Sequence, residues 1–195
     1  MPDQLSIELT TCRSQLNTFL PLLWQGFTLQ VTLGVSLHHL LTEQLHLNPD
    51  FLETKIRTIF LDGSPVDDPK TALIRQNARI ALGGAAPGLA GIALRRHSPA
   101  AFARHDITHQ NQSTQTATQK GPITIKLFNE IAPLLAPNFL TIGLTSTAAN
   151  LIQTLKSPPN PLKIYLNQTL INLPNLIIHL SQQSSTSSIF LKVVF

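Results

Sequence analysis

The chain has 195 residues, 43% of them apolar and 12% charged, with a formal net charge of +4, which allows one large or two small domains with an ordinary core. So mild a positive excess does not by itself imply a nucleic-acid partner, and a single cysteine, Cys12, excludes an internal disulfide framework and any multi-cysteine zinc site. No apolar run reaches the roughly 18 residues of a membrane span, and the opening MPDQLSIEL lacks the basic and apolar regions of a signal peptide, so a cytoplasmic location is expected.

Leu5, Ile7 and Leu9 alternate with Ser6, Glu8 and Thr10, the pattern of a half-buried strand. Ser14 to Leu23 carries apolar residues at helical spacing and reads as a short helix disrupted by Pro21. Phe27, Leu29, Val31 and Leu33 alternate with Thr28, Gln30 and Thr32, the clearest strand pattern in the chain, broken at Gly34. Ser36 is placed to cap a helix whose apolar face is Leu37, Leu40, Leu41 and Leu45, ended by Asn48-Pro49. Ile56 to Leu61 is rich in β-branched and aromatic residues and predicts a buried strand. Asp62-Gly63 is a tight-turn signal, because glycine takes positive φ without steric cost. Pro65 and Pro69 keep the chain that follows out of a ladder. Ala78 to Leu82 is a second short strand, ended by Gly83-Gly84.

Residues 92–109 gather Arg95, Arg96, His97, Arg104, His105 and His109 against one acid, Asp106. Gln110 to Gly121, QNQSTQTATQKG, has no apolar periodicity and reads as a flexible, protease-sensitive linker. The expected organisation is a domain over 1–109, a linker over 110–121 and a second domain over 122–195. Beyond the linker, Ile123, Ile125 and Leu127 alternate with Thr124 and Lys126. Phe139, Leu140, Ile142 and Leu144 predict a strand. Thr147 is a cap for the helical face Ala148, Leu151, Ile152 and Leu155. Leu162 to Leu166 predicts a strand with Asn167-Gln168 as its turn, and Ile189 to Phe195 a final strand. That last strand is apolar enough to need a neighbour on both edges.

The two stretches look like one unit written twice. Asn17 to Leu23 lies against Asn129 to Leu135, Leu29-x-Val31-x-Leu33 against Leu140-x-Ile142-x-Leu144, Leu40-Leu41 against Leu151-Ile152, and Ile59 to Asp62 against Ile164 to Asn167. Each half reads strand, short helical connection, strand, helix, strand, turn, strand.

That order resembles the β-grasp, or ubiquitin-like, fold, and more closely the small sulfur carriers: the molybdopterin-synthase small subunit and the thiamine-biosynthesis carrier. The residues that carry the resemblance are the helix Leu37–Leu45, IFLDGSPVDD and ARIALGG in the first half. In the second half they are ITIKLFNEIAPLL and NFLTIGLTSTAANLIQTL. The resemblance implies an α+β fold of two tandem β-grasp-like halves, each a mixed sheet with a packed helix and a central last strand. Carriers of this kind act through a free terminal Gly-Gly. Gly83-Gly84 is internal, so carrier chemistry here would require cleavage after Gly84.

Few residues point to chemistry. The glycine-rich run Gly83, Gly84, Gly88 and Gly91 precedes Arg95, Arg96 and Arg104. Converging N–H groups and arginines could hold an anion, or the run is a turn-rich connection with solvated arginines. It is not a P-loop, since no Gly-Lys-Ser/Thr follows. His105 and His109 are four apart and could share a helix face with Asp106 or His97 as a further metal ligand, or be solvated. Asp62, Asp67 and Asp68 read as turn and loop residues rather than an acid–base pair. No catalytic residue, cofactor or metal is expected. The expected function is non-catalytic, a binding or assembly protein that meets a protein partner, or itself, through strand edges; the alternatives are a sulfur-carrier relative cleaved after Gly84 and an anion-binding protein or enzyme using the basic segment 95–104.

Overall fold

The computed structural model describes residues 4–85, 91, 95–96 and 119–195. In chain order they form β1 (Ser6–Thr11), a 3-10 helix (Arg13–Phe19), α1 (Leu20–Gln25), β2 (Phe27–Thr32), α2 (Leu37–His39), a π-helical turn (Leu40–Gln44) and α3 (Pro49–Thr54). Then come β3 (Thr58–Leu61), β4 (Ser64–Pro65), β5 (Arg79–Gly83), β6 (Lys120–Leu127), α4 (Ile131–Ile142) and β7 (Leu144–Thr147). The chain closes with α5 (Ala148–Leu155), β8 (Leu162–Leu166), β9 (Thr169–Ile171), α6 (Leu173–Ser181) and β10 (Ser188–Val194). With helices beside parallel and antiparallel strands, the chain is an α+β protein. Among the described residues no helix is long and apolar enough to cross a membrane.

The chain divides into two compact units, and they do not follow the expected boundary at 110–121. The first unit is Met1–Thr28 with Ala132–Phe195, and the second is Leu29–Ile131. The strands β1 and β6, each expected to open its own half, are found with the strands of the other half. Period-two alternation states which face of a strand is buried and is silent about its neighbour.

In the first unit the strands lie in the order β7-β10-β1-β8-β9. β10 runs antiparallel to β7 and parallel to β1, from Ser6 opposite Phe190 to Thr10 opposite Val194. β1 is antiparallel to β8, and β8 makes a hairpin with β9. β10 thus has a neighbour on both edges, as its apolar sequence requires. Ile7, Leu9, Ile164, Ile189, Leu191 and Val193 are buried from the strands, with Phe139, Leu140, Leu151, Leu155, Leu176 and Leu180 from the helices. Phe27 tilts against Phe139 at 5.1 Å, and Phe195 meets Phe19 edge-on at 6.4 Å.

The expected strand over Phe139–Leu144 is instead the last turn of α4 and the start of β7. The buried residues Ile131, Ala132, Leu135, Ala136, Phe139 and Leu140 recur at helical, not alternating, spacing. Pro133 falls in the first turn, where its missing N–H has no partner to lose, although Pro137 is interior. Pro21 likewise sits in the first turn of α1 rather than disrupting it. The expected cap is present: the Asn150 N–H donates to Thr147 Oγ1 at 3.2 Å.

The second unit has the order β4-β3-β5-β6-β2. β5 is parallel to β6 and antiparallel to β3, which turns into the two-residue strand β4. β6 begins at Lys120, so the last two residues read as linker belong to the sheet, and Gly121 is packed against the Leu33 side chain. Ile59, Leu61, Ile80, Leu82, Ile123, Ile125 and Leu127 are buried with the expected helical face Leu37, Leu40, Leu41 and Leu45. Ser36 Oγ accepts from the His39 N–H at 3.1 Å. The π-helical turn brings Gln44 back to Thr32, where its side chain accepts from the backbone N–H at 2.7 Å and donates to the carbonyl at 3.1 Å. Asn48-Pro49 does not only end this helix; the Asn48 side chain caps α3.

The duplication is visible in one repeated lock. The Asp62 N–H donates to the Arg79 carbonyl and the Arg79 N–H to Asp62 Oδ1, both at 2.8 Å. In the first unit the Asn167 N–H donates to the Ser6 carbonyl at 2.8 Å, and the Ser6 N–H to Asn167 Oδ1 at 2.9 Å. A step away, the Thr124 N–H donates to the Ala78 carbonyl and the Phe190 N–H to the Leu5 carbonyl. Ile59–Asp62 and Ile164–Asn167 therefore correspond as the sequence suggests. β1, however, corresponds to β5 and β10 to β6, where a simple superposition of 5–82 on 123–195 would match β1 with β6.

Both locks stand on left-handed turns, Asp62 and Gly63 at φ 52° and 88°, Asn167 and Gln168 at φ 47° and 69°. A non-glycine residue in this region costs about 1–2 kcal/mol. Gln168→Gly is expected to stabilise the protein by up to about 1 kcal/mol, and Gly63→Ala to destabilise it by about 1 kcal/mol, both read from urea unfolding midpoints.

Candidate functional site

Of the glycines and arginines expected to hold an anion, Gly83, Gly84, Gly91, Arg95 and Arg96 are among the described residues. Gly83 is the last residue of β5, opposite Thr58. Gly84 follows, and a Cβ there would meet the carboxylate end of the Glu130 side chain, which would have to swing aside. That carboxylate accepts the Ala85 N–H at 3.2 Å, while Thr58 Oγ1 donates to the Gly84 carbonyl at 3.3 Å. Gly91 is buried. Gly88, Arg104, His97, His105 and His109 lie outside the described residues, as do linker residues 110–118. Among the described residues no group of three or more His, Cys, Asp or Glu could hold a metal.

Arg96 is committed to the chain itself. Its guanidinium donates to the Leu52 carbonyl in the last turn of α3 at 3.2 Å, to the Ile56 carbonyl just past that helix at 3.4 Å, and to the Asp67 carbonyl at 3.4 Å. It also forks onto both Glu53 oxygens at 3.1 Å. The side chain is 4% exposed, against 49% for Glu53. Carbonyls at the end of a helix lack intrahelical donors, and a planar guanidinium satisfies several at once. Arg95 lies beside it in the same turn.

The surface with most to offer lies on the outward side of the second unit's sheet. Phe60, Ala81 and Lys126 stand directly opposite one another across β3, β5 and β6. Arg79 faces Thr124 on one side of that row. Thr58 faces Gly83 on the other, with Phe128 next along, its N–H donating to the Leu82 carbonyl. The residues between them, Ile59, Leu61, Ile80, Leu82, Ile125 and Leu127, are at most 1% exposed, so alternation puts this set on the opposite face of the sheet, where Arg79, Lys126 and Phe128 are exposed while Thr58 and Gly83 are themselves buried. Two adjoining hollows of about 650 and 240 Å³ share Phe60, Ala81 and Phe128. Gly63, Arg79, Thr124 and Lys126 border the first; Thr58, Gly83, Gly84 and Asn129 border the second. Phe128 is 41% exposed. Neither the Arg79 guanidinium nor Lys126 Nζ has a partner among the described residues.

Of the residues the sequence singled out, only Gly83 and Gly84 line this face. Phe60, Arg79, Ala81, Lys126 and Phe128 were missed, although a signal was present. Once Ile80 and Leu82 are placed in the core, Arg79 and Ala81 must point away from it, and Phe60 between Ile59 and Leu61 is an aromatic residue on the outward register. What alternation cannot supply is that β5 and β6 are neighbours.

Because Arg96 is buried and Glu53 half-exposed, the two sides of their ion pair differ in weight. Arg96→Ala is expected to cost about 2–4 kcal/mol in chemical denaturation, since it strips donors from buried carbonyls. Glu53→Ala is expected to cost below about 1 kcal/mol.

No family model, curated protein or solved structure matches the chain, so the outward face of β3, β5 and β6 is read from its own geometry.

Proposed function

We propose that the chain is a non-catalytic protein-binding or assembly module built from two β-grasp-like units, and that the outward face of β3, β5 and β6 is its principal docking surface. The β-grasp reading is supported by a helix and a mixed sheet in each unit, and by β5 and β10 each having neighbours on both edges. The binding reading is carried by one observation: Phe60 and Phe128 stand on the side of the sheet away from the core, bordering a hollow edged by two cations that have no carboxylate partner among the described residues. Aromatic and cationic groups on an open surface fit a protein partner, because they combine apolar area with orientation. A small-molecule site would enclose its ligand, whereas the described residues border this one from one sheet face.

Phe128→Asp leaves the core untouched, and folding stability is expected to change by less than about 0.5 kcal/mol. Photo-crosslinking from position 60 in an extract of the source cells should give discrete protein adducts with the wild type and none with this variant. Adducts equally abundant in both would remove this face as the docking surface.

The expected route through strand edges is open in one of the two units. In the second unit the edge strand β4 is two residues long and ends in Pro65, which has no N–H to offer a new strand. At the corresponding edge of the first unit, β9 carries no charge and no proline, and Leu170 is 64% exposed. Such an edge favours self-association. Leu170→Lys is expected to lower the oligomer fraction in sedimentation at high concentration; an unchanged distribution would leave the edge without that role.

A further inference from the structure

The two units present corresponding outward faces with different electrostatics. In the first unit Tyr165, Glu8 and Lys192 stand opposite one another across β8, β1 and β10. Lys192 Nζ lies 3.9 Å from Glu8 Oε2. In the second unit the corresponding row is Phe60, Ala81 and Lys126. The aromatic residue and the lysine are kept; the glutamate is an alanine. Where the first unit sets Glu8 beside its own lysine, the second has no carboxylate beside Lys126 among the described residues, opens a hollow at Ala81 and adds Arg79 beside it. Two residues further along β5, Glu8's neighbour Thr10 is replaced by Gly83. A Cβ there would make only ordinary contacts, 3.8 Å to Phe128 Cβ and 4.0 Å to Thr58 Cβ, so no neighbour demands a glycine.

From this we propose that the outward face of the second unit receives an extended acidic segment of a partner protein with the pattern Glu-x-apolar. The inference rests on the docking reading above and names its chemistry. The partner's glutamate takes the place that Glu8 holds in the first unit, between Phe60 and Lys126 and within reach of Arg79. A residue two further along an extended chain is displaced by about 6.6 Å, the interval from Ala81 to Gly83, and places its apolar side chain in the smaller hollow against Phe128. Charge fixes the register and apolar contact supplies most of the affinity, because an exposed carboxylate–lysine pair is weak by itself.

The test is a titration of the isotopically labelled full chain, followed by amide NMR. The probe is the acetylated, amidated peptide Thr-Glu-Ser-Phe-Thr-Ser, compared with its Gln counterpart and with free 3-phenylpropionate. The expected result is saturable shifts at Ala81, Thr124, Lys126 and Phe128 with the Glu peptide. Binding of the Gln peptide should be about three- to tenfold weaker at low salt, with the difference shrinking as salt is raised. Ala81→Glu should close the site from within, by pairing with Lys126 as Glu8 pairs with Lys192, and weaken the Glu peptide about tenfold or more with an unchanged fold. Lys126→Met, which keeps an unbranched apolar side chain, should do the same if Ala81→Glu misfolds. Equal binding of the Glu and Gln peptides would overturn the acidic pattern while leaving the docking face intact. Phenylpropionate binding as tightly as the peptide would overturn the choice of a protein segment. Absence of any saturable shift with the Glu peptide would overturn the inference, and the crosslinking comparison at Phe128 separately decides the docking reading.

Discussion

Each unit depends on a parallel ladder between two strands that no hairpin can join. In the first unit β1 meets β10, and in the second β5 meets β6. Parallel neighbours need a long connection, because the chain must return to the end it started from. The first unit is closed by strands from opposite ends of the described chain, so its hydrophobic centre, Ile7 and Leu9 beside Leu191 and Val193, forms only when those segments meet. Closing such a long loop costs little more free energy than closing a moderate one, since the entropy grows only with the logarithm of length. It affects folding rate more, because non-local contacts reward the chain late. The side-chain lock at Asn167, and its counterpart at Asp62, fixes where each parallel strand begins. Without that fixed start, a one-residue slip would turn Ile7 and Leu9 outward.

Local chemistry was legible in the sequence and tertiary neighbourhood was not. Ser36 and Thr147 cap helices because a hydroxyl before a helical apolar face has few other uses, and both do so here. Asp62-Gly63 announces its turn, and Asn167-Gln168 follows from the repeat although glutamine is unusual at positive φ. Proline was misleading at Pro21, which falls in the first turn of a helix, and at Pro49, where it starts one. α6 was not foreseen, since Leu173 to Leu180 is too apolar to show a clear face, although Asn172 caps it at the Asn175 N–H. The exchange of β1 and β6 between the halves could not be read at all. Both strands alternate equally well, and either could have bordered β5 or β10 on pattern alone. The candidate face shares that fate, because its row Phe60–Ala81–Lys126 exists only once β6 is set beside β5.

The glycine-rich run shows how one composition can serve two purposes. Gly84 admits the Glu130 carboxylate, which takes the Ala85 N–H, so an acid of the chain itself occupies the backbone donor that a foreign anion would need. Arg96 is satisfied in the same manner by Glu53 and three carbonyls. A phosphate entering at either point would have to displace a carboxylate already in place. Gly83, one residue earlier, faces no such intrusion and is buried at the end of β5, on the side of the strand away from Ile80 and Leu82.

That difference bears on why β5 has the sequence it has. Alanine and glycine are poor choices for a strand interior, glycine because it adds no side-chain contact and costs more chain entropy. On the corresponding strand of the first unit the same outward positions carry Glu8 and Thr10, which suit a pleated surface better and, in Glu8, reach the neighbouring lysine. A cross-strand charge pair at Ala81 would add roughly 0.2–1 kcal/mol to the second unit, and a larger residue at Gly83 would add contact area. Gly83 is held neither by positive φ nor by a clash, although it is buried at the end of β5. Small side chains along β5, with Phe60 and Phe128 to either side, leave the two hollows that the proposed docking would fill with a carboxylate and an apolar side chain of another chain.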